Sequence, residues 1–78
     1  MPTTLELIDD HGDVLGTLTT GYFEPPLVIP VTKSGTAIFL RVRDWEGSTD
    51  VPINALMGRT THFGMGDLFE IILGKSMC

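Results

Sequence analysis

The chain has 78 residues, with ten acidic and five basic side chains and a formal net charge of −5. A chain this short makes one domain, so residues 1–78 are predicted to form a single small unit that buries only roughly 60–65% of its unfolded surface. The acidic balance argues against a nucleic-acid binder that works through a broad basic field. The apolar content of 42% is ample for this length and leaves apolar surface for a partner or a second copy.

The sequence predicts neither a disulfide nor a metal site. Cys78 is the single cysteine, and His11, His62 and Cys78 share no ligand spacing, so no disulfide within the chain, no metal and no other cofactor is expected. No apolar run approaches about 18 residues, and no charged-then-apolar leader comes before the first strand, so neither a membrane span nor a secretory signal is expected. A free thiol is compatible with a reducing compartment, and we predict a cytoplasmic location.

The first half of the chain predicts a hairpin followed by an extended edge segment. Thr3 to Ile8 is typical of a strand, and Asp9 to Asp13 of a turn. With His11 and Gly12 at the centre of a tight hairpin, Leu5 faces Leu18. That register places on one face Leu5, Leu7, Val14, Gly16 and Leu18. The Gly21–Pro26 segment is irregular, and Leu27 to Val31 is an edge strand or an extended arm because Pro30 cannot donate to a ladder.

The segment from Thr36 to Arg43 is the best strand candidate. Ile38, Leu40 and Val42 alternate on one face, and both faces are apolar at its start, which predicts a central strand. Residues 44–50 are predicted to be a loop, and a short helical turn is predicted near 52–57 between Pro52 and Gly58. After a loop over 59–66, residues 68–73 form the last strand.

Five to six short strands and one short helical turn predict a mainly β domain, built as a small barrel or sandwich of SH3-like or similar architecture. A βα mixture with a full helix at 51–58 is the competing class. The sequence from His62 to Ile71 resembles the turn-Gly-Asp-strand segment of SH3-like barrels, and Trp45–Gly47 with Val51–Leu56 is similar to their late strand and helical turn. Because the two segments come in the opposite order, this resemblance implies a permuted barrel.

Two narrower resemblances concern short strings. The string from Phe63 to Asp67 is similar to one in the plasmid-borne type II dihydrofolate reductases, which are SH3-like tetramers. Their Val-Gln-Ile-Tyr active-site string is absent here, so no activity is implied. The turns at Val31–Gly35 and Gly66–Asp67 resemble the paired turns of swapped-hairpin transcription factors of the AbrB and MazE type. The proline expected after the first strand of that family is missing, and the spacing between the turns is longer.

No catalytic residues are predicted. Gly64–Asp67 is the single glycine-rich loop, but a strand follows it, whereas a phosphate cradle needs a helix and usually a Lys-Ser/Thr pair. Asp9, Asp10 and Asp13 with His11 lack the alternating carboxylates of a calcium loop, so they are interpreted as a solvated hairpin tip. His11 has no nucleophile placed by the sequence for it to activate as a base.

The hypothesis that follows is a small non-enzymatic protein-interaction module that self-associates and binds a protein partner. An accessory role in a phage or mobile element would suit so short and acidic a chain. Apolar and aromatic residues near loops and the proline-marked edge are the predicted contacts. They are Tyr22, Phe23, Leu27, Val31, Trp45 and Phe63.

Two alternatives stay open. In a dimeric swapped-hairpin DNA-binding regulator, the nucleic-acid contacts would be Lys33, Arg41 and Arg43. In an oligomeric enzyme, the site would form at a symmetry axis. The same arginines could instead pair across strands with acids such as Glu6 or Glu70.

Overall fold

The computed structural model describes residues 2–21, 27–53 and 61–71. These residues form a mainly β structure, as the sequence predicted. The strands in chain order are β1 (Thr3–Ile8), β2 (Val14–Thr20), β3 (Leu27–Pro30), β4 (Gly35–Ala37), β5 (Phe39–Asp44), β6 (Gly47–Pro52), β7 (Thr61–Phe63) and β8 (Leu68–Ile71). They make one four-stranded sheet and two two-stranded ribbons.

The four-stranded sheet has the order β2-β1-β5-β6, and every neighbouring pair is antiparallel. Successive side chains of a strand point to opposite faces, so the alternation in β1 and β5 separates an apolar face from a polar one. The apolar face carries Leu5, Leu7 and Leu40 in the core, with Leu18 and Val42 packed against them. The polar face carries Glu6, Thr17, Arg41, Arg43 and Asp50, which alternate with these residues along their strands.

A β-bulge changes the predicted hairpin at its turn end. The pairing of Leu5 with Leu18 is confirmed, but the register shifts between Leu7 and Ile8, so that Ile8 pairs with Val14. A bulge adds one residue to one strand and exchanges the faces beyond it. The prediction that Val14 lies on the core face is therefore wrong: Val14 is 41% exposed and Leu15 is fully buried.

The predicted strand at 36–43 is two strands. The strand pairing is interrupted at Ile38, whose N–H donates to the Ile8 carbonyl at 2.8 Å. Before the break, β4 pairs with β7; after it, β5 lies between β1 and β6 as the predicted central strand. The break lets Ala37 and Leu40 both enter the core although they are three residues apart, which an unbroken strand does not allow.

The predicted loops at 44–50 and 59–66 are also wrong, because β6 begins at Gly47 in the first and β7 lies within the second. Asp44 pairs with Gly47 across a two-residue turn, and β6 then runs antiparallel to β5 as far as Pro52. Gly47 has a φ of 142°, which a residue with a side chain rarely adopts. Because Val51 and Pro52 belong to this strand, the predicted helical turn does not begin there. Ile53, directly after the strand, is helical, and residues 54–57 of the predicted turn lie outside the described residues.

The two ribbons pack on the apolar face of the large sheet. In one, β3 pairs with β8; in the other, β4 pairs with β7. The predicted edge strand around Pro30 is therefore observed, and Val31 continues it with a bridge to Gly16 of β2. All three sheets contribute to one hydrophobic core, but across the described ranges they are open sheets and do not close into the predicted barrel.

Candidate binding surfaces

Three of the predicted contact residues lie in the core. Leu27, Val31 and Phe63 are buried, and the ring of Phe63 meets that of Phe69 edge to face at 5.3 Å. They point inward because β3 and β7 turn these positions toward the large sheet, where burial of apolar surface is most favourable. Their side chains belong to the hydrophobic core of the chain. Tyr22 and Phe23 lie outside the described residues.

Trp45 is placed differently. It occupies the turn between β5 and β6 and its side chain is 68% exposed. Both neighbours of this tryptophan along the chain, Asp44 and Glu46, are also exposed, so the indole stands at an acidic hairpin tip. An exposed tryptophan adds little to the stability of the fold, and aromatic residues are enriched in binding surfaces. A partner-binding role for Trp45 stays a prediction.

An exposed apolar surface lies on the outside of the β3–β8 ribbon. The predicted contact edge Leu27–Val31 supplies one side of it, and β8, which was not predicted as a contact, supplies the other. Val28 and Pro30 point outward from β3, and Leu68 and Glu70 point outward from β8, where Pro30 is opposite Leu68 and Val28 is opposite Glu70. Leu68 is 67% exposed and Val28 is 38% exposed. We call these four residues the ribbon face. Met65, in the turn directly before β8, is exposed as well.

The sequence indicates the ribbon face only once the pairing of β3 with β8 is known. Strand β3 alternates buried and exposed positions, although Leu27, Val28 and Ile29 are all apolar. Among the described residues, no further strand covers the outward side of this two-stranded ribbon. The pairing of β3 with β8 therefore adds Leu68 to the predicted edge segment that contains Val28.

The three cationic side chains of the described ranges are all engaged in ion pairs. Lys33 Nζ lies 2.9 Å from Asp13 Oδ2, and Arg41 holds Asp50 with two hydrogen bonds of 2.8 and 3.1 Å. Arg43 donates to Glu6. Phosphate binding would require these cations to exchange carboxylate partners for phosphate, and each pair has no net charge to attract a polyanion. A nucleic-acid contact at Lys33, Arg41 and Arg43 would therefore have to replace these ion pairs, and it stays a prediction.

The electrostatics of these pairs follow from their contacts. The hydrogen bond from Arg41 lowers the pKa of Asp50, and the hydrogen bond to Asp13 raises the pKa of Lys33. Both pairs are substantially exposed to solvent, so they contribute little to stability on their own. Glu6 differs because its side chain is only 13% exposed, at the centre of the polar face.

The turn of the first hairpin holds the one cluster that could ligate a metal among the residues the structure describes. It consists of Asp9, Asp10 and His11, whose ligand atoms lie within 4.8 Å of one another. The Asp9 carboxylate already accepts the N–H groups of His11 and Asp13, and Asp10 contacts the His11 ring. These contacts organise the turn, which agrees with a solvated hairpin tip.

The glycine-rich Gly64–Asp67 segment is also a turn. Asp67 Oδ2 accepts the N–H of Gly64 at 2.7 Å, and Gly66 has a φ of 95°. The Gly66 N–H donates to the Val31 carbonyl, and β8 begins directly afterwards. Its glycines thus serve chain reversal, and its backbone N–H groups at 64 and 66 are bonded within the domain.

Comparison with protein families, with curated proteins and with solved structures finds no match for this chain. None of the described residues belongs to a helix long and apolar enough to cross a membrane.

Proposed function

We propose that this domain is a small non-enzymatic protein-interaction module and that it self-associates through the ribbon face. The observation that carries the proposal is the outward placement of Val28, Pro30 and Leu68 side by side on a two-stranded ribbon. An exposed apolar group of this kind, with a charged neighbour such as Glu70 at its margin, is the usual composition of a contact surface.

The charge distribution of the large sheet supports a binding role over a catalytic one. Its polar face combines two acids and two bases in ion pairs, namely Glu6 with Arg43 and Asp50 with Arg41. Across the described ranges, no polar or charged side chain is buried. A general acid or base usually gains its shifted pKa from burial or from an unpaired charge, and the four charged residues of this polar face have neither.

The size of the ribbon face sets the strength of the association. Fully burying a valine or leucine side chain is worth about 1.5–3 kcal/mol, and each copy offers one of each, already partly covered. Association in turn costs several kcal/mol in lost translational and rotational freedom, about 4 or more. The self-association is therefore weak and depends on concentration.

A matched pair of valine variants tests this proposal. Val28 and Val14 are both strand valines with similar exposure, 38% and 41%, but only Val28 belongs to the ribbon face. We expect Val28→Thr and Leu68→Thr to reduce the weight-average mass measured by light scattering at high concentration. Val14→Thr should leave it unchanged. A wild-type chain that stays monomeric at millimolar concentration, or equal effects of Val28→Thr and Val14→Thr, would refute self-association through this surface.

A further inference from the structure

Strand β6 has an outer edge that no described strand covers. It is the last strand of the four-stranded sheet, and its residues are exposed as far as Asp50. The Ile53 N–H donates to the Ile38 carbonyl at 2.9 Å. Because bonded positions alternate along an antiparallel ladder, Val51 and Thr49 also bond toward β5. The N–H and C=O groups of Ser48 and Asp50 therefore point outward, away from the sheet.

The available part of this edge is short. Pro52 has no N–H to offer a further strand, so an added strand can make complete pairs only with Ser48 and Asp50. The other edge of the large sheet differs, since the Leu15 carbonyl of β2 already accepts the N–H of Thr32. At Ser48 and Asp50 no described segment makes such a bond to β6, so an extended segment can be added there.

A shallow, open depression of about 290 Å³ adjoins the edge at the hairpin tip. It is lined by Val42, Asp44, Glu46, Gly47, Ser48 and Thr49. Val42 supplies an apolar wall, and the two carboxylates stand beside it. A lysine or arginine side chain complements this lining, because its aliphatic stem can pack against Val42 and its cationic head can pair with the carboxylates.

The charge of the tip selects the class of partner. Residues 44–50 contain three acids and no base, and only Asp50 has an ion pair, with Arg41. Asp44 and Glu46 have no ion pair with any residue in the described part of the chain. Asp44 does accept the backbone N–H of Glu46, which shapes the turn. A second copy of this chain would present the same acidic edge, so a basic partner is favoured electrostatically.

We infer that β6 binds a short, basic, extended peptide segment of another protein as an added antiparallel strand. Backbone pairing at Ser48 and Asp50 supplies register, and a lysine or arginine of the peptide lies in the depression between the carboxylates of Asp44 and Glu46, the residues on either side of Trp45 in the chain. This inference rests on the proposed function, an interaction module, but it uses a surface separate from the ribbon face.

Peptide titration provides the test, with Trp45 as the reporter because it is the single tryptophan of the chain. The probe is an end-blocked heptapeptide of alternating lysine and threonine, compared with the same peptide carrying glutamate in place of lysine. We expect a saturable fluorescence change with the lysine peptide that weakens as salt is raised, and at least about tenfold weaker binding of the glutamate peptide. Equal binding of both peptides, or no binding of the lysine peptide, would overturn the inference.

Two sets of variants separate the charge from the strand pairing. Asp44→Asn with Glu46→Gln keeps the size of both side chains and should weaken the lysine peptide about five- to tenfold. Ser48→Pro removes an outward N–H, whereas its control, Ser48→Ala, keeps it; we expect about tenfold weaker binding for the proline variant alone. Should Ser48→Pro fail to fold by circular dichroism, a lysine peptide N-methylated at alternate residues blocks the same pairing from the other side. If neither Ser48→Pro nor N-methylation of the peptide weakens binding, strand addition is contradicted.

These outcomes differ from those of the self-association test. Loss of peptide binding with intact effects of Val28→Thr on mass refutes only the role of β6. If the peptide binds but Val28→Thr does not change the mass, only self-association through the ribbon face is refuted.

Discussion

Replacing Gly16 by alanine tests the shortest contact that an added Cβ would make at any of the described glycines. Gly16 bridges to Val31, where β2 passes directly over the end of β3. An alanine Cβ at this position would lie 2.4 Å from the Pro30 carbonyl oxygen and 3.3 Å from Ile29 Cγ2. Because Cβ atoms essentially never come closer than 3.0 Å, the two strands must separate by 3.0 − 2.4 = 0.6 Å. The obstacle is backbone, so no side-chain rotation can relieve it.

That separation would weaken several interactions together. The Thr32 N–H bond to the Leu15 carbonyl, 2.8 Å long, holds the same pair of segments, and Leu15, Ile29 and Val31 pack in the core beside it. Overpacking of this kind costs about 1–3 kcal/mol, and lost core contacts and a stretched hydrogen bond bring the expected total to about 2–4 kcal/mol. For a domain of this size, that loss lowers the melting temperature by about 10–25 °C.

The assay is thermal and urea unfolding followed by far-ultraviolet circular dichroism. Fluorescence is a poorer probe, because Trp45 is already exposed in the folded state. Gly21→Ala is the matched control, since its added Cβ meets nothing within 4 Å, and it should leave the melting temperature nearly unchanged. Gly35→Ala should fall between them, because its neighbour is the flexible Leu15 side chain. If Gly16→Ala melts within about 2 °C of wild type, the described packing of β2 on β3 is wrong.

Two further predictions concern the polar face. Arg43→Met should lower the free energy of unfolding in urea by about 1 kcal/mol, because it leaves the Glu6 carboxylate, whose side chain is 13% exposed, without its partner. Arg41→Met should lower it less, because the Asp50 side chain is 36% exposed and regains water. An equal or larger loss for Arg41→Met would contradict this. Arg41 lowers the pKa of Asp50 below its ordinary 3.8, so the stabilisation from this carboxylate is complete above that value and is lost as the pH falls through the folded-state pKa. The difference in urea midpoint between wild type and Asp50→Asn should therefore be present at about pH 6 and vanish near about pH 2, and a difference independent of pH would disprove the pairing.

The parts of the fold that were predicted correctly depend on local alternation. The Leu5–Leu18 register and the central position of β5 follow from apolar residues at every second position, here Leu5, Leu7, Leu40 and Val42. A one-residue slip would expose the whole set, so the pattern determines the pairing. This is why the mainly β character was accessible from the sequence alone.

The parts that were predicted wrongly depend on contacts distant along the chain. A hydrogen bond joins Ile8, at the bulge, to Ile38, where the strand is interrupted. The two residues are thirty positions apart, so no local sequence pattern predicts this contact. Strand β6 escaped prediction because Gly47 to Asp50 are all polar or glycine. An edge strand with solvent on both faces needs no alternation, and its pairing to β5 provides its order.

The candidate surfaces show the same division. Trp45 was selected from its place in a turn, and the structure leaves it exposed. Phe63 was selected for the same reason but is buried, since β7 directs it inward against Phe69. The edge segment that contains Val28 was selected, but Leu68 was not, because their shared surface depends on the pairing of two segments about forty residues apart in sequence.

The central claim, that the ribbon face is where copies of this domain meet, is tested most directly by amide chemical shifts. Proton–nitrogen correlation spectra recorded from dilute to concentrated solution report on each backbone N–H separately. The account predicts shifts concentrated in β3 and β8 around Val28 and Leu68, and their disappearance in Leu68→Thr. Spectra that do not change with concentration, or shifts centred elsewhere in the sheet, would contradict it.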